Sequence, residues 1–520
     1  MGDGTGGPRV RTRSETSNKH LLDIFDEQEN RETTQASRIV SRSRRDAATN
    51  KQVPSLEFKF HSLSLVSAFQ APEGSMAATA TATALARLLP LLLLTMLPPP
   101  LREHLSASRP GPADTGGRAD AEAPVLHPIV LVPGASCPNI EARLTEAYRP
   151  SVPRCGRLKG KGWFGLWENA SDVPAHDYLD CFKEQMSLVY HPAINDYRNV
   201  PGVETRVPNF GSATGFADKK PQHPEWCLAV IREALESVGY RDGDTLFGAP
   251  YDLRHAPPVP GQQSEVFSAY FDQTARLVEE ASKKNHGRKV IVFGHSYGGM
   301  VALEFVRSMA PAWRRRHVKH LLLVAPTLPE GFMEALSNLV SGTDMLYVPG
   351  ASPLSLRPTW RSFETALANL PSRAVFGCRP LVVTARRNYS ANDVEDLLAA
   401  IGYAAGVEPF RRRALPKTRS FRPPMVPVTC INGVGNRTPR QLVFWEGDFD
   451  ADPEVVYGDG DGKINLISML AFDEKMRRDP GQETQFKSVK LHGAQHSNIV
   501  TLPWALTRVM QEIDEANRIS

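Results

Sequence analysis

The chain offers little from which a metal or redox site could be built. It has six cysteines in 520 residues, and none stands in a C-x-x-C pair, which argues against zinc and redox motifs. An excess of one charge sign is nearly absent as well: 61 basic against 57 acidic residues leave a formal +4, too weak a field to suggest nucleic acid. No internal repeat is visible. The leucine-rich run from Leu88 to Leu97 is about ten residues long, short of the roughly 20 that a comfortable membrane crossing takes. What is present is globular: 41% hydrophobic and 23% charged residues, with 42 prolines and 38 glycines spread over many loops. That is the composition of an enzyme with a large core and many excursions. Length alone suggests about three domains, although single α/β enzymes often exceed that rule.

Residues 1–75 are polar, with basic clusters such as Arg42, Arg44 and Arg45, and are expected to be disordered. Composition changes abruptly at Met76. Ala77 to Ala86 contain only Ala, Thr and Leu, and the leucine run follows before Pro98-Pro99-Pro100. This order matches a signal peptide over residues 76–105, with a linker over 106–122. Such a segment belongs at an N-terminus, so translation is expected to start naturally at Met76, with residues 1–75 an extension of the reading frame. The competing reading is a membrane anchor with a cytosolic tail. Cysteine usage agrees with the secretory route, and Asn169-Ala170-Ser171, Asn388-Tyr389-Ser390 and Asn436-Arg437-Thr438 are glycosylation sequons that acquire meaning there. The expected destination is outside the cell, the vacuole or the endoplasmic reticulum.

From about His127 onward strands and helices alternate. Pro128 to Val132, Val318 to Ala325 and Val426 to Ile431 read as strands, and Glu225 to Val238 as a helix with apolar residues at helical spacing. Near-continuous apolar runs of this kind belong to parallel strands covered on both faces. The most informative segment is Gly294-His295-Ser296-Tyr297-Gly298-Gly299. An apolar strand, Arg288 to Phe293, precedes it, and a helical pattern from Met300 follows. G-x-S-x-G between strand and helix is a nucleophile elbow, a turn so tight that side chains at the glycines would collide.

A serine needs a base, and the base an orienting acid. In an α/β-hydrolase fold the chain order is Ser, Asp or Glu, then His. Two later loops fit: Gly458-Asp459-Gly460-Asp461-Gly462, and Leu491-His492-Gly493-Ala494-Gln495-His496. The first fails as a calcium loop, since Lys463 and Leu470 stand where ligands belong. Spacing alone leaves Asp459 and Asp461 open as the acid, and His492 and His496 as the base. The oxyanion donors are expected to be the backbone N–H of Tyr297 and that of Ala135, in the loop after the first strand.

Taken together, these segments resemble the lecithin:cholesterol acyltransferase family, in particular its plant branch. The resemblance runs from about His127 to the C-terminus. It rests on Leu131 to Gly134 with Ile140 to Leu144, on Gly202 to Gly211, on Gly248-Ala249-Pro250-Tyr251-Asp252-Leu253-Arg254, on the elbow, on Asn388-Tyr389-Ser390 and on Gly458 to Leu466. It implies an α/β-hydrolase fold over 123–520 with a lid at about 150–185 and a cap insertion at about 328–425. It implies Asp461 as acid and His496 as base. It also implies acyl transfer from a glycerophospholipid to a sterol, another alcohol or water, at a membrane or lipid-particle surface, by a monomer without metal or organic cofactor. A family lid disulfide matches Cys155 and Cys181, and between them Trp163, Phe164 and Trp167 become candidates for lipid contact. Composition by itself would place those aromatics in the core.

The chain also departs from the family. Ala135 stands where members often carry a polar residue, Cys137-Pro138-Asn139 replace the usual G-N-Q, and Ala325-Pro326-Thr327-Leu328-Pro329 replace A-P-W-G-G. Cys430 matches half of a second disulfide whose partner position is not cysteine, and it reads as free. These replacements motivate a different reading, a catalytically weak lipid-binding member.

Overall fold

Six short apolar segments pair side by side: β1 (Ile129–Val132), β2 (Leu246–Gly248), β3 (Val290–His295), β4 (Val318–Val324), β5 (Val428–Val434) and β6 (Phe486–His492). Their order across the sheet is β6-β5-β4-β3-β1-β2, and every pair is parallel. The computed structural model describes residues 126–167, 178–217, 225–342, 348, 351–419 and 421–518. Residues 1–75, 76–105 and 106–122, expected to be an extension, a signal peptide and a linker, and the sequon residue Asn169 lie outside the described residues. Among those described, no helix is long and apolar enough to cross a membrane.

The strands are apolar throughout because both faces are covered. Val130, Val132, Val292 and Leu323 enter one core, while Ile129, Leu131, Ile291, Phe293 and Leu322 enter the other. Helices α1 (Glu265–Lys284) and α2 (Tyr297–Ser308) cover the first face. The C-terminal helix Pro503–Arg518 and helix Ala229–Ser237 cover the second. Each fully buried aliphatic side chain contributes about 1.5–3 kcal/mol, so this two-sided burial is what holds the sheet between its helices. The arrangement is that of an α/β-hydrolase. Only β2 is illegible in the sequence, since three residues show no period.

Between β4 and β5 the chain leaves the sheet and builds a cap around α3 (Met333–Ser341), α4 (Pro353–Ser362) and α5 (Glu364–Ala368). The cap has its own apolar cluster, with Met333, Leu336 and Leu367 packed on Val382, Leu442 and Phe444. It therefore extends past residue 425: the strand Asn436–Phe444, beyond β5, pairs with the cap strand Val382–Thr384.

Two disulfides are present. Cys155 and Cys181 are joined, with Cα atoms 5.0 Å apart. Cys137 and Cys227, which the sequence leaves unassigned, form the second across 90 residues. Cys430 is buried and free, and Cys378 is exposed and free. The aromatic candidates on the lid segment separate. Trp167 is a core residue and not a lipid contact: it is 1% exposed and its indole N–H donates to Ser136 O at 3.2 Å. The cause is a strand, Phe164–Trp167, that pairs with Ile140–Leu144 and turns this side chain inward. Trp163 is half-buried beneath the guanidinium groups of Arg143 and Arg206, at 5.0 and 4.4 Å from its ring centre. Phe164 packs half-buried against the main core.

Candidate active site

Ser296 stands where β3 turns into α2, with φ 55° and ψ −128°. A non-glycine residue in that region is strained and must be held there by its surroundings. The turn closes because two glycines have no side chain. A Cβ on Gly294 would lie 2.5 Å from Gly298 O, and one on Gly298 would lie 2.3 Å from Val132 O. Backbone bonds then lock the serine: its N–H donates to Val324 O at 3.0 Å, and its carbonyl accepts from Gly299 and Thr327 at 2.9 and 3.0 Å.

Ser296 Oγ lies 2.8 Å from His496 Nε2, and His496 Nδ1 lies 2.9 Å from Asp461 Oδ2. Asp461 is fully buried, and its other oxygen accepts the N–H groups of Lys463 and Ile464 at 3.0 and 2.7 Å. The two loops are also joined directly, since His496 N–H donates to Asp461 O at 2.8 Å. With the carboxylate accepting at Nδ1–H, the ring presents Nε2 as an acceptor for the serine proton. The alternatives left by spacing lie elsewhere. Asp459 is exposed and accepts from Gly435 N–H at 2.7 Å, and His492 is exposed. His295, by contrast, is buried behind the site, its Nε2 3.4 Å from His496 O. Desolvation, helped by the nearby His496, pulls its pKa down to about 3, so it stays neutral.

One sequon falls to the same geometry. The Asn436 side-chain nitrogen, the atom a glycan would take, donates to Ala494 O at 2.8 Å and Val434 O at 3.3 Å. Its Thr438 is fully buried. Asn436 thus braces the loop that carries His496 and is not available as an acceptor in the folded chain. Asn388 is exposed.

The loop after β1 lies against the nucleophile: a Cβ on Gly134 would be 3.3 Å from Ser296 Cβ. Tyr297 is the first residue of α2, and the leading N–H groups of a helix lack intrahelical partners and sit at its positive end. Ala135 and Tyr297 line the same cavity as Ser296 and His496. That cavity measures about 120 Å³ and is otherwise walled mainly by apolar side chains, among them Leu253, Phe332, Leu339, Trp360 and Ile464. An activated serine at such a floor can attack an ester whose hydrocarbon part occupies the apolar walls.

The family model described as lecithin:cholesterol acyltransferase matches residues 163–395. Lecithin-cholesterol acyltransferase-like 1 of Oryza sativa subsp. japonica is 44% identical over 404 residues, covering 77% of this chain and 89% of the rice protein. The chain belongs to the lecithin:cholesterol acyltransferase family. The Arabidopsis thaliana protein called lecithin-cholesterol acyltransferase-like 1 is 37% identical over 403 residues, covering 75% of this chain and 90% of that one. Lysosomal phospholipase A and acyltransferase of Rattus norvegicus is 30% identical over 395 residues, covering 74% and 90%. Within this family member, the family-model match ends before Asp461 and His496, so those positions stand on geometry. Sequence reasoning missed the cap side of the cavity. Asn338, Trp360 and Thr365 come from three separate helices, and no motif marks them.

Proposed function

We propose that the chain is a phospholipid O-acyltransferase that works through an acyl-enzyme on Ser296. The observation that carries this is the hydrogen-bonded series Ser296–His496–Asp461, at 2.8 and 2.9 Å, opening into an apolar-walled cavity in a member of an acyltransferase family. Ser296 Oγ attacks the ester carbonyl of a glycerophospholipid while His496 Nε2 takes its proton. The N–H groups of Ala135 and Tyr297 receive the developing oxyanion, a role worth about 3–4 kcal/mol per donor in barrier height. His496 then protonates the departing lysophospholipid oxygen, which leaves the acyl group on Ser296. An alcohol acceptor, a sterol or another, repeats the sequence in reverse: it gives its proton to His496 and takes the acyl group. Asp461 holds the ring orientation and stabilises the imidazolium throughout. Water in the acceptor place makes the same residues a phospholipase. The two disulfides fit an oxidising compartment, hence the secretory route.

The test uses the chain from a secretory host with liposomes of isotopically labelled phosphatidylcholine and sterol, products resolved by mass spectrometry, and Ser296→Ala alongside. Ser296→Ala is expected to lower turnover at least about 10⁴-fold with an unchanged melting temperature. Labelled sterol ester establishes transfer, and labelled fatty acid alone makes it a phospholipase. Neither product from folded, liposome-bound wild type would overturn the proposal in favour of a lipid-binding protein.

A further inference from the structure

The cap-side wall of the cavity carries polar atoms that nothing in the protein satisfies. Thr327 and Thr365 line the cavity at 5% and 3% exposure, and neither hydroxyl has a hydrogen-bond partner. Asn338, on the same lining, has a partnerless side-chain oxygen. A buried polar atom left without a partner is costly, and three of them on residues lining one cavity with the serine call for a ligand. The residues are well placed for one. Thr327 N–H donates to Ser296 O, which puts its side chain next to the nucleophile, at the position where the resembling family has tryptophan. Thr365 is carried by α5 and Asn338 by α3, each from the cap. Rotation about χ1 exchanges the hydroxyl and methyl of a threonine between staggered wells, so a lining threonine can present its oxygen to a guest.

The hydrocarbon of an acyl chain cannot satisfy these atoms. Nor can a molecule whose single oxygen is engaged with Ser296 and His496. We infer that Thr327, Thr365 and Asn338 form a polar subsite for a second oxygen, that of a glycerol-type backbone whose neighbouring oxygen is the one that reacts. This rests on the acyl-transfer reading above and names the substrate class for it. Two sources share the chemistry at the threonine hydroxyls, the esterified glycerol oxygens of the phospholipid donor and the free second hydroxyl of an acceptor, and only the latter can also donate to Asn338 Oδ1.

The experiment compares wild type, Thr365→Val and Thr327→Val on substrates that differ in the second oxygen. Hydrolysis of a fatty ester of a long-chain monohydric alcohol, which lacks it, is set against hydrolysis of phosphatidylcholine. Transfer to a long-chain monohydric alcohol is set against transfer to a monoacylglycerol. The expected result is a kcat/KM for the two-oxygen substrate that falls about tenfold further than for its one-oxygen partner. The melting temperature is expected to hold or rise, since the valine removes an unsatisfied hydroxyl. Selective loss in the hydrolysis pair assigns the oxygen to the donor, and selective loss in the transfer pair assigns it to the acceptor. Equal changes within both pairs, from a wild type that turns over phosphatidylcholine, overturn the subsite and leave the acyltransferase reading standing. A wild type that leaves phosphatidylcholine intact overturns both.

Discussion

The two walls of the cavity are held in different ways. On the sheet side Ser296, Ala135 and His496 sit on turns fixed by backbone hydrogen bonds: Ser296 N–H to Val324 O, His496 N–H to Asp461 O, Cys137 N–H to Gly134 O. On the cap side Leu339, Trp360 and Ala366 sit on helices held by apolar packing against neighbours such as Leu336, Phe363 and Leu367. A change on the first wall disturbs backbone bonds that hold the serine and the histidine in place. A change on the second alters shape and polarity while the chemistry stays in register. The elbow and Gly458 to Leu466 lie on the first wall, where Ala135 and Cys137 to Asn139 also depart from the family, and the departure at Thr327 falls where the second begins.

The largest effect expected from breaking this contrast is at the acid. Asp461→Asn should cost about 10³–10⁴ in kcat, because the ring loses the partner that sets its tautomer. Asp459→Asn, two residues away and exposed, should stay within threefold. Steady-state hydrolysis of labelled phosphatidylcholine decides it, and the reverse ranking would give the role to Asp459.

Next come the two disulfides. Cys137 follows Ala135 by two residues and ties its loop to Cys227, whereas Cys155–Cys181 ties the lid segment. In the chain-entropy model they stabilise by about 4–5 and about 3–4 kcal/mol respectively. Cys137→Ser with Cys227→Ser should also lower kcat about tenfold, by loosening an oxyanion donor. Cys155→Ser with Cys181→Ser should leave kcat within threefold. Rates well below both melting temperatures provide the measurement, with urea midpoints for stability. Equal kcat in the two double variants would count against a role for the first bridge in the site.

The smallest effect is one of stability with pH and sharpens the view of the sheet as a dry platform. His320, on β4, is buried with Nε2 2.9 Å from Thr429 Oγ1, and desolvation, opposed by Glu515, lowers its pKa from 6.5 to about 4. Above pH 6.5 the ring is neutral folded or unfolded. Below it only the unfolded chain takes the proton, so stability falls as pH drops from 6.5 towards 4. His295 acts in the same direction. His320→Gln should remove on the order of 1–3 kcal/mol of that acid loss. Urea midpoints at pH 7 and 4.5 test it, and an unchanged pH slope would refute it.

Much of the molecule was legible before folding. The elbow could be read because a strained strand-to-helix turn leaves few choices at Gly294, Gly298 and Gly299. The parallel sheet could be read because two-sided burial demands unbroken apolar runs. Asp461 and His496 could be narrowed to two candidates each by chain order, and resemblance chose between them. Trp167 and Asn436 misled for one reason: an exposed and a buried version of each motif look alike as letters.

What the sequence determined by itself is local: a tight turn, a strand period, the order in which a candidate nucleophile, acid and base follow one another. The tertiary structure alone decided which cysteines meet across 90 residues. It alone turned Trp167 inward, bound Asn436 to the histidine loop, and faced three cap helices toward the serine. Spacing along a chain encodes geometry only over the few residues that a turn or a helix makes neighbours. A cavity wall assembled from distant elements has no spacing to read, because its members become neighbours through packing and nothing else.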